Sequence, residues 1–382
     1  MTTASENEKN IKEEAFKLCK DFLGTPWNEI SLADFNISSV RGGISNALYC
    51  CSLPSHVVVK NPGTPRRVLL RFFGPVQDEE HTKVTETTTF VLLSERKLGP
   101  KLYGAFSNGR LEEYIPAKHL STDDVRRLST SVAKAMAKIH ALDLPLRKAP
   151  DSWLKHMKKW LEDMENCGTN RSDDNCLLGN MFRNEMDFLK KEMENYDSPS
   201  VFCHNDLIGG NILLPEDFVN ELNPKVILID FEFGGYNFRA FDIANHFCEW
   251  VYDYDVTEPP YFKIDNSKYP TEEEKIKFIR SYLNQLVLED ILKSSVVDYE
   301  TDKILDEVKF FSMVTRLYWA LWSEKNKYDA NIGVFHKENS KARLKQYWKF
   351  KEQYLEEKSS ELSKDNSNFV SNINESTVSD RH

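Results

Sequence analysis

The sequence contains no apolar run approaching the roughly 20 residues that a bilayer-spanning helix requires. Its first residues, Met1 to Asn10, are polar and lack the apolar core of a signal peptide. The expectation is a soluble chain with no membrane span that is not secreted. Positive charge is also short: 50 Lys and Arg stand against 60 Asp and Glu, a formal net charge of −10, which argues against nucleic acid as a partner. The seven cysteines, Cys19, Cys50, Cys51, Cys167, Cys176, Cys203 and Cys248, are odd in number and show no paired metal-ligand spacing. They read as reduced thiols in a cytoplasmic protein. No internal repeat of solenoid-like period is present.

At 382 residues the chain exceeds what one hydrophobic core usually serves, so two packed units are expected. Residues 1–10 and 356–382 are rich in Ser, Asn, Glu, Lys and Asp, a composition that predicts disordered tails. From Val40 to Phe73 the pattern is extended, with apolar stretches at Ala47 to Leu53, Val57 to Val59 and Val68 to Phe73 around a turn at Asn61 to Pro65. A helix over Glu86 to Arg96 and two short strands, Leu102 to Phe106 and Leu111 to Ile115, complete an N-terminal lobe spanning 11–115. Residues 116–355 read as a larger, mainly helical lobe. It opens with Ser121 and Asp124 as a capping box ahead of Val125, Leu128, Val132, Met136 and Ile139. Further helices are predicted near Trp153 to Met164, Phe182 to Glu194, Glu272 to Leu292 and Ile304 to Trp322.

Two motifs interrupt the helical pattern. His204-Asn205-Asp206-Leu207-Ile208-Gly209-Gly210-Asn211 precedes the apolar run Ile212 to Leu214, and nineteen residues after Asn211 stands Asp230, closing the strand Val226 to Ile229. That is the spacing of a phosphotransferase catalytic loop. Phosphoryl transfer needs a carboxylate to accept the proton of the attacking hydroxyl and oxygen ligands to hold magnesium against the phosphates. Asp206 suits the first task, Asn211 and Asp230 the second. Each residue alone is a common turn former; the combination with an aspartate closing the next strand points to catalysis. Upstream, Arg41-Gly42-Gly43-Ile44-Ser45-Asn46 lies between two strands, where a hairpin with exposed backbone N–H groups could cover nucleotide phosphates; a plain hairpin is the alternative. Arg71 stands where protein kinases place a lysine against the phosphates, with Glu86 as a candidate ion-pair partner, although solvated surface charges would read the same way.

These motifs together resemble the choline/ethanolamine kinase family, relatives of protein kinases and aminoglycoside phosphotransferases. The segment Ile229-Asp230-Phe231-Glu232-Phe233-Gly234-Gly235-Tyr236-Asn237-Phe238-Arg239-Ala240-Phe241-Asp242-Ile243-Ala244-Asn245-His246-Phe247-Cys248-Glu249-Trp250 is similar to that family's second signature. Leu98 to Gly104 and Val68 to Arg71 match as well, and the likeness runs from about Gly42 to Arg343. It implies an α+β, two-lobed, protein-kinase-like fold with a small antiparallel-sheet N-lobe and a larger helical C-lobe. It also implies an ATP- and Mg2+-dependent transfer to the hydroxyl of choline, giving phosphocholine for phosphatidylcholine synthesis. Ethanolamine is the alternative or second substrate, a catalytically weak binding subunit is a further one, and a homodimer is a possible assembly.

The roles that follow from the resemblance are Asp206 as base, Asn211 and Asp230 on magnesium, and Glu113, Tyr114 and Ile115 as the hinge against adenine. Gly42, Gly43, Ser45, Asn46, Arg71 and Glu86 fall on the nucleotide, and Glu232, Phe233, Glu249, Tyr254, Trp319 and Trp322 on the alcohol. A quaternary ammonium has no N–H to donate and is best held by aromatic faces and a carboxylate. On the helix that carries the tryptophans, Phe310, Val314, Leu317 and Leu321 form a core stripe. Phe311, Tyr318, Trp319 and Trp322 form a second stripe about 100° around, available to a ligand or to a second packing face. Two positions depart from the family. Ile208 replaces a glutamine usual in choline kinases, and Asn339 stands, by spacing, where a cage tyrosine is usual. A raised KM for choline, or a preference for a different amino alcohol, is expected from these departures.

Overall fold

The computed structural model describes residues 4–40, 46–74, 80–166, 173–218, 221, 224–330 and 332–379. Helix α1 (Ala4–Leu23) leads into strands β1 (Asn36–Ser39), β2 (Asn46–Ser52) and β3 (Arg67–Phe73). Helix α2 (Glu80–Glu95), strands β4 (Leu102–Phe106), β5 (Gly109–Glu113) and β6 (Ala117–His119), and helices α3 (Thr122–Arg127) and α4 (Ser129–His140) follow. Then come α5 (Ser152–Asn166), α6 (Asp173–Met193), β7 (Ser200–Cys203), β8 (Ile212–Pro215), β9 (Ile227–Leu228), β10 (Gly235–Phe238) and α7 (Arg239–Glu249). A short hairpin, β11 (Tyr252–Asp253) and β12 (Lys263–Ile264), precedes α8 (Glu272–Leu288), α9 (Val297–Asn326) and α10 (Gly333–Ser379). Among the described residues, no helix is long and apolar enough to cross a membrane.

Two compact units emerge, Met1–Ile139 with Ile208–Gly234, and His140–Leu207 with Gly235–His382. The division differs from a single cut after Ile115. Strand β6, helix α3 and most of α4 stay with the N-terminal sheet, because β6 pairs antiparallel with β8 and β8 with β9. Helix α1 begins inside the polar segment 1–10, and α10 runs on through 356–379.

In the first unit, five antiparallel strands take the order β1-β2-β3-β5-β4. Alternation sorts β3: Val68 and Leu70 enter a core with Trp27, Phe35, Cys51 and Leu111, while Leu69 and Arg71 project from the other face. The Trp27 indole N–H donates to the Pro65 carbonyl at 2.9 Å, which fastens the turn ahead of β3. Val57 to Val59, predicted as extended, forms no strand. Ser121 caps α3 by accepting from the Asp124 N–H at 3.2 Å, as its spacing predicts. The helix then breaks at Leu128, which leaves α3 and α4 where one helix was expected. Gly209 approaches the Leu120 carbonyl so closely that an added Cβ would sit 2.4 Å from that oxygen.

The second unit is built around α9, which packs against α5, α7, α8 and α10. Phe310, Val314, Leu317 and Leu321 are buried, but so are Phe311, Tyr318 and Trp319. The second stripe therefore divides. Phe311 and Tyr318 are core residues, packed on Phe238 and on Trp160 and Phe241 respectively, and each buried ring contributes on the order of 2 kcal/mol. Trp319 and Trp322 continue toward a different set of neighbours. Helix α8 carries a full capping box between Thr271 and Glu274.

Candidate active site

In the first unit, cross-strand pairing places Arg71 opposite Arg110. Two buried guanidinium groups on one sheet face repel unless carboxylates intervene. Glu112 accepts from Arg71 Nε at 2.8 Å and lies 3.4 Å from Arg110 Nε, while Arg110 Nη1 donates to Glu86 at 2.8 Å. The expected Arg71–Glu86 pair is thus corrected. Arg110, which sits across the sheet from Arg71, takes Glu86, and Glu112 takes Arg71. Neither Arg110 nor Glu112 stood out in the sequence, because charges in a strand are most often solvated. Burial works against the Arg71 charge, but Glu112 and Asp230 more than offset it and raise its pKa. For Glu112, burial is likewise the largest influence, and Arg71 with Arg110 reverses it, leaving the carboxyl below its ordinary range.

Asp230 lies 3.6 Å from Arg71 Nη1, beyond hydrogen-bond reach. Arg71 Nη1 and Asp230 Oδ1 are both buried and have no hydrogen-bond partner among the described residues. Asp230 has φ +65°, a left-handed backbone that a non-glycine residue adopts only where its surroundings impose it. Pairing of β8 with β9 brings Asn211 alongside: Ile212 faces Leu228, and the Ile229 N–H donates to the Asn211 carbonyl at 3.0 Å. Asn211 is buried. Two residues nineteen positions apart are thereby joined through one antiparallel ladder. Glu232 and Phe233, half-buried, belong to this same unit.

Asn46 accepts from the Gly74 N–H at 3.3 Å through Oδ1, and its buried Nδ2 has no acceptor among the described residues. Gly42, Gly43 and Ser45 lie outside the described residues. At the end of β5, Glu113 is exposed and turns back to β4, accepting from the Lys101 N–H at 3.0 Å. Tyr114 lies under the Arg67 guanidinium, 4.7 Å from ring to cation.

In the second unit, His204 to Leu207 are held from below. Asp242, fully buried on α7, accepts the backbone N–H of His204 at 2.8 Å and of Asn205 at 2.7 Å, together with His140 Nε2 at 3.0 Å. Asn205 sits at φ +66°, which asparagine tolerates better than most residues. Its side-chain carbonyl accepts from Asn237 Nδ2 at 2.8 Å, and His246 Nδ1 donates to the Leu207 carbonyl at 2.9 Å. Burial opposes ionisation of Asp242, but the hydrogen bond and charge of His140 and the His204 N–H hold its pKa below the ordinary value. Burial pushes His246 down to about 4, so it is the neutral tautomer with its proton on Nδ1. His140, Cys203 and Asp242 also bring three possible ligand atoms within 4.8 Å of one another, yet the Asp242 oxygens already take three N–H donors. The cluster is a loop clamp. Asn237, Asp242 and His246 all lie inside the second signature, so its length has a physical reason: it carries the loop 204–207. Asp206 itself is half-buried at the head of this clamp.

Glu249, Tyr254, Trp319 and Trp322, four of the residues assigned to the alcohol, join Phe335, His336 and Asn245 in a circuit in the second unit. Glu249 accepts from Tyr254 Oη at 2.7 Å, the Tyr254 and Phe335 rings lie 6.2 Å apart, and Phe335 meets His336 edge-on at 5.3 Å. His336 meets Trp322 at 4.9 Å, Trp322 meets Trp319 at 5.4 Å, and Trp319 Nε1 donates to Asn245 Oδ1 at 2.8 Å. Asn245 lies one helical turn before Glu249 and closes the ring. Burial and the Glu249 carboxylate keep the Tyr254 phenol far above its ordinary pKa, hence protonated. Sequence reasoning missed Arg343. Its Nη2 donates to Glu249 and to Tyr254 at 2.9 Å each, its Nε donates to Asn339 at 2.7 Å, and its guanidinium lies 4.4 Å from the Tyr252 ring centre. Asn339 is thus the acceptor for Arg343 and, at 3.0 Å, for Ser323, a structural post that explains its burial. The imidazole of His336 stands one turn away.

A model of the choline/ethanolamine kinase family matches residues 37–348. The chain belongs to this family. It is accordingly a small-molecule kinase whose acceptor is an alcohol. The choline/ethanolamine kinase of Mus musculus is 36% identical over 360 residues, covering 94% of this chain and 91% of its own length. That of Homo sapiens is 38% identical over 323 residues, covering 84% and 81%. Among solved structures, a choline kinase from Cryptosporidium parvum superposes with a TM-score of 0.72 at 26% identity, over 90% of this chain and 96% of that one. The fold, an antiparallel sheet region followed by a mostly helical one, is that of kinases of this family.

Proposed function

We propose that the chain transfers the terminal phosphate of ATP to the hydroxyl of choline, with ethanolamine as a second substrate. The observation that carries the choice of an amino alcohol is the circuit from Asn245 round to Glu249: aromatic faces and a carboxylate are what a small organic cation requires. Asp206 accepts the hydroxyl proton as the oxygen attacks the phosphorus. The clamp from Asp242, Asn237 and His246 fixes the backbone that presents it, which is how positioning lowers the barrier. Arg71, whose Nη1 makes no hydrogen bond among the described residues, donates to phosphate oxygens. The backbone N–H and carbonyl groups of Tyr114 and Ile115, beyond the last ladder bond of β5, serve adenine.

Magnesium suits the pair Asn211 and Asp230, since both offer oxygen and the buried Asp230 Oδ1 lacks a donor among the described residues. When bound there it would neutralise phosphate charge. The two compact units divide the work accordingly, nucleotide and metal on the first, alcohol and base on the second.

Arg343 shares the Glu249 carboxylate with the alcohol's cation, so the hold on that cation depends on Glu249 and also on the rings. Of these, the imidazole of His336 is the weakest cation–π partner, which supports a raised KM for choline. The reading further places the enzyme in the cytoplasm, as a homodimer, at the entry to phosphatidylcholine synthesis; the family resemblance supports this part. The test is ADP release by the purified protein with Mg-ATP, comparing choline, ethanolamine and the mono- and dimethyl intermediates. Turnover rising with methylation is the expected result. A peak at ethanolamine would reassign the substrate, and no turnover with any of them would favour a binding subunit.

A further inference from the structure

A cavity of about 410 Å3 lies in the helical unit between α8, α9 and α10, lined by none of the residues placed on the alcohol. Four cations line it, Lys275, Lys309, Arg316 and Lys349, against two carboxylates, Glu272 and Glu357. Lys275 pairs with Glu272 at 2.8 Å and Lys309 with Glu357 at 3.3 Å. Arg316 and Lys349 are left with no carboxylate within ion-pair distance among the described residues. In a chain of net charge −10, two unneutralised cations on one cavity wall are a local reversal of sign.

Arg316 is the more telling of the two, being only 2% exposed. A buried arginine without a carboxylate is costly unless something accepts its protons. Its recorded hydrogen bonds are both made by Nη1, to the Ser312 carbonyl at 2.9 Å and to Cys248 Sγ. Nε is buried and has no acceptor among the described residues. The guanidinium carbon stands 3.8 Å from the Phe350 ring centre and 5.6 Å from that of Tyr269, and the Nε and Nη2 edge, the fork that grips a tetrahedral oxyanion, makes no hydrogen bond among the described residues. Lys349, Phe350 and Glu357 come from the part of α10 beyond residue 348, where the family match ends.

We propose that this cavity binds a phosphomonoester dianion, with the phosphate on Arg316 and Lys349 and the organic part against the Tyr269, Phe350 and Tyr354 rings. Two unpaired positive charges match a dianion, and the volume suits a small ester. The wall is shared with the alcohol site: Cys248 precedes Glu249, and Arg316 lies one turn before Trp319. The proposal does not depend on which alcohol the enzyme phosphorylates.

The test is thermal unfolding of the full chain with inorganic phosphate and, separately, with phosphocholine, each matched in ionic strength with chloride. A ligand that binds the folded state stabilises it by RT ln(1 + L/Kd), with L its free concentration, and so raises Tm as that concentration passes Kd. Both anions should raise the Tm of the wild type, phosphocholine at the lower concentration. Lys349→Glu, at an exposed position, should need about tenfold more of either, the loss of one charge-assisted contact. Arg316→Gln should abolish the response. Lys345→Glu, one turn earlier and outside the lining, should leave it unchanged. Equal responses in wild type and Lys349→Glu, or an equal loss in Lys345→Glu, would overturn the site, and phosphate acting at lower concentration than phosphocholine would overturn the ester.

Discussion

The loop 204–207 and the aromatic circuit, both in the helical unit, are built on opposite principles. The loop is fixed by hydrogen bonds between backbone and buried side chains: Asp242, Asn237 and His246 leave residues 204–207 one arrangement. The circuit is fixed by ring packing around one ion pair, Glu249 with Arg343. Directional bonds tolerate almost no substitution, while packed rings accept exchange of one flat group for another. Chemistry common to the family therefore belongs on the first, and variation in substrate on the second.

The largest effect should come from removing the proposed base. Asp206→Asn is expected to lower kcat by about 10³-fold, within the range of general-base losses, with Tm unchanged because Asp206 is half-buried and outside the core. Asp242→Asn attacks the support instead. It keeps the shape but discharges a buried carboxylate facing three donors, and should cost about 3 kcal/mol of stability, read by guanidinium unfolding, with kcat falling alongside. If Asp242→Asn lowered kcat and left stability intact, Asp242 would not be the clamp described.

The loop was legible in the sequence because its spacing is local: Asp206 and Asn211 are five residues apart, and Asp230 closes the next strand. The α9 stripes were legible from periodicity alone, but that the second stripe splits was not, since periodicity reports a face and not its neighbour. Glu112, Arg110, His140 and Arg343 were illegible for one reason. Each acts through a partner 24 to 102 residues away, and a lone charge or imidazole carries no trace of its partner. Helix α10 was missed because a polar composition argues for disorder when no packing surface is in view.

Glu249→Gln should raise the choline KM about tenfold and, by leaving Arg343 buried without an anion, cost about 3 kcal/mol as well. The double variant Glu249→Gln with Arg343→Gln separates the two effects: stability should partly return while KM stays high. Recovery of both together would show that Glu249 acts only as the partner of Arg343.

A smaller effect should appear on the pH axis. The folded-state value for His246, about 4, lies below the ordinary 6.5, so between these values the unfolded chain binds one more proton than the folded. Stability should then fall as pH drops from about 6.5 toward 4, with a limiting slope of about 1.4 kcal/mol per pH unit from this group. Guanidinium unfolding at several pH values checks it. His246→Asn, which keeps a donor for the Leu207 carbonyl, should flatten the slope by one proton equivalent; an unchanged slope would mean that His246 is already charged in the fold.

The smallest effect sharpens the contrast most. His336 is 2% exposed, edge-on to Trp322, and burial holds its imidazole down to about 4, so near neutral pH it presents an uncharged ring. In His336→Phe a better cation–π face of similar size replaces it, and the choline KM should fall about threefold while that for ethanolamine stays put. Asn339→Tyr, which restores the ring the family places there, should do the reverse of what the family suggests. Asn339 is the acceptor for Arg343 and Ser323, and a phenol in that volume would break both bonds and overpack the site, costing roughly 1–3 kcal/mol. If Asn339→Tyr instead lowered the choline KM without loss of stability, the circuit would be an incomplete cage with room for another ring. If His336→Phe changed neither substrate, the imidazole would lie outside the path of the cation, and the circuit would owe its selectivity to Glu249, Trp319 and Trp322 alone.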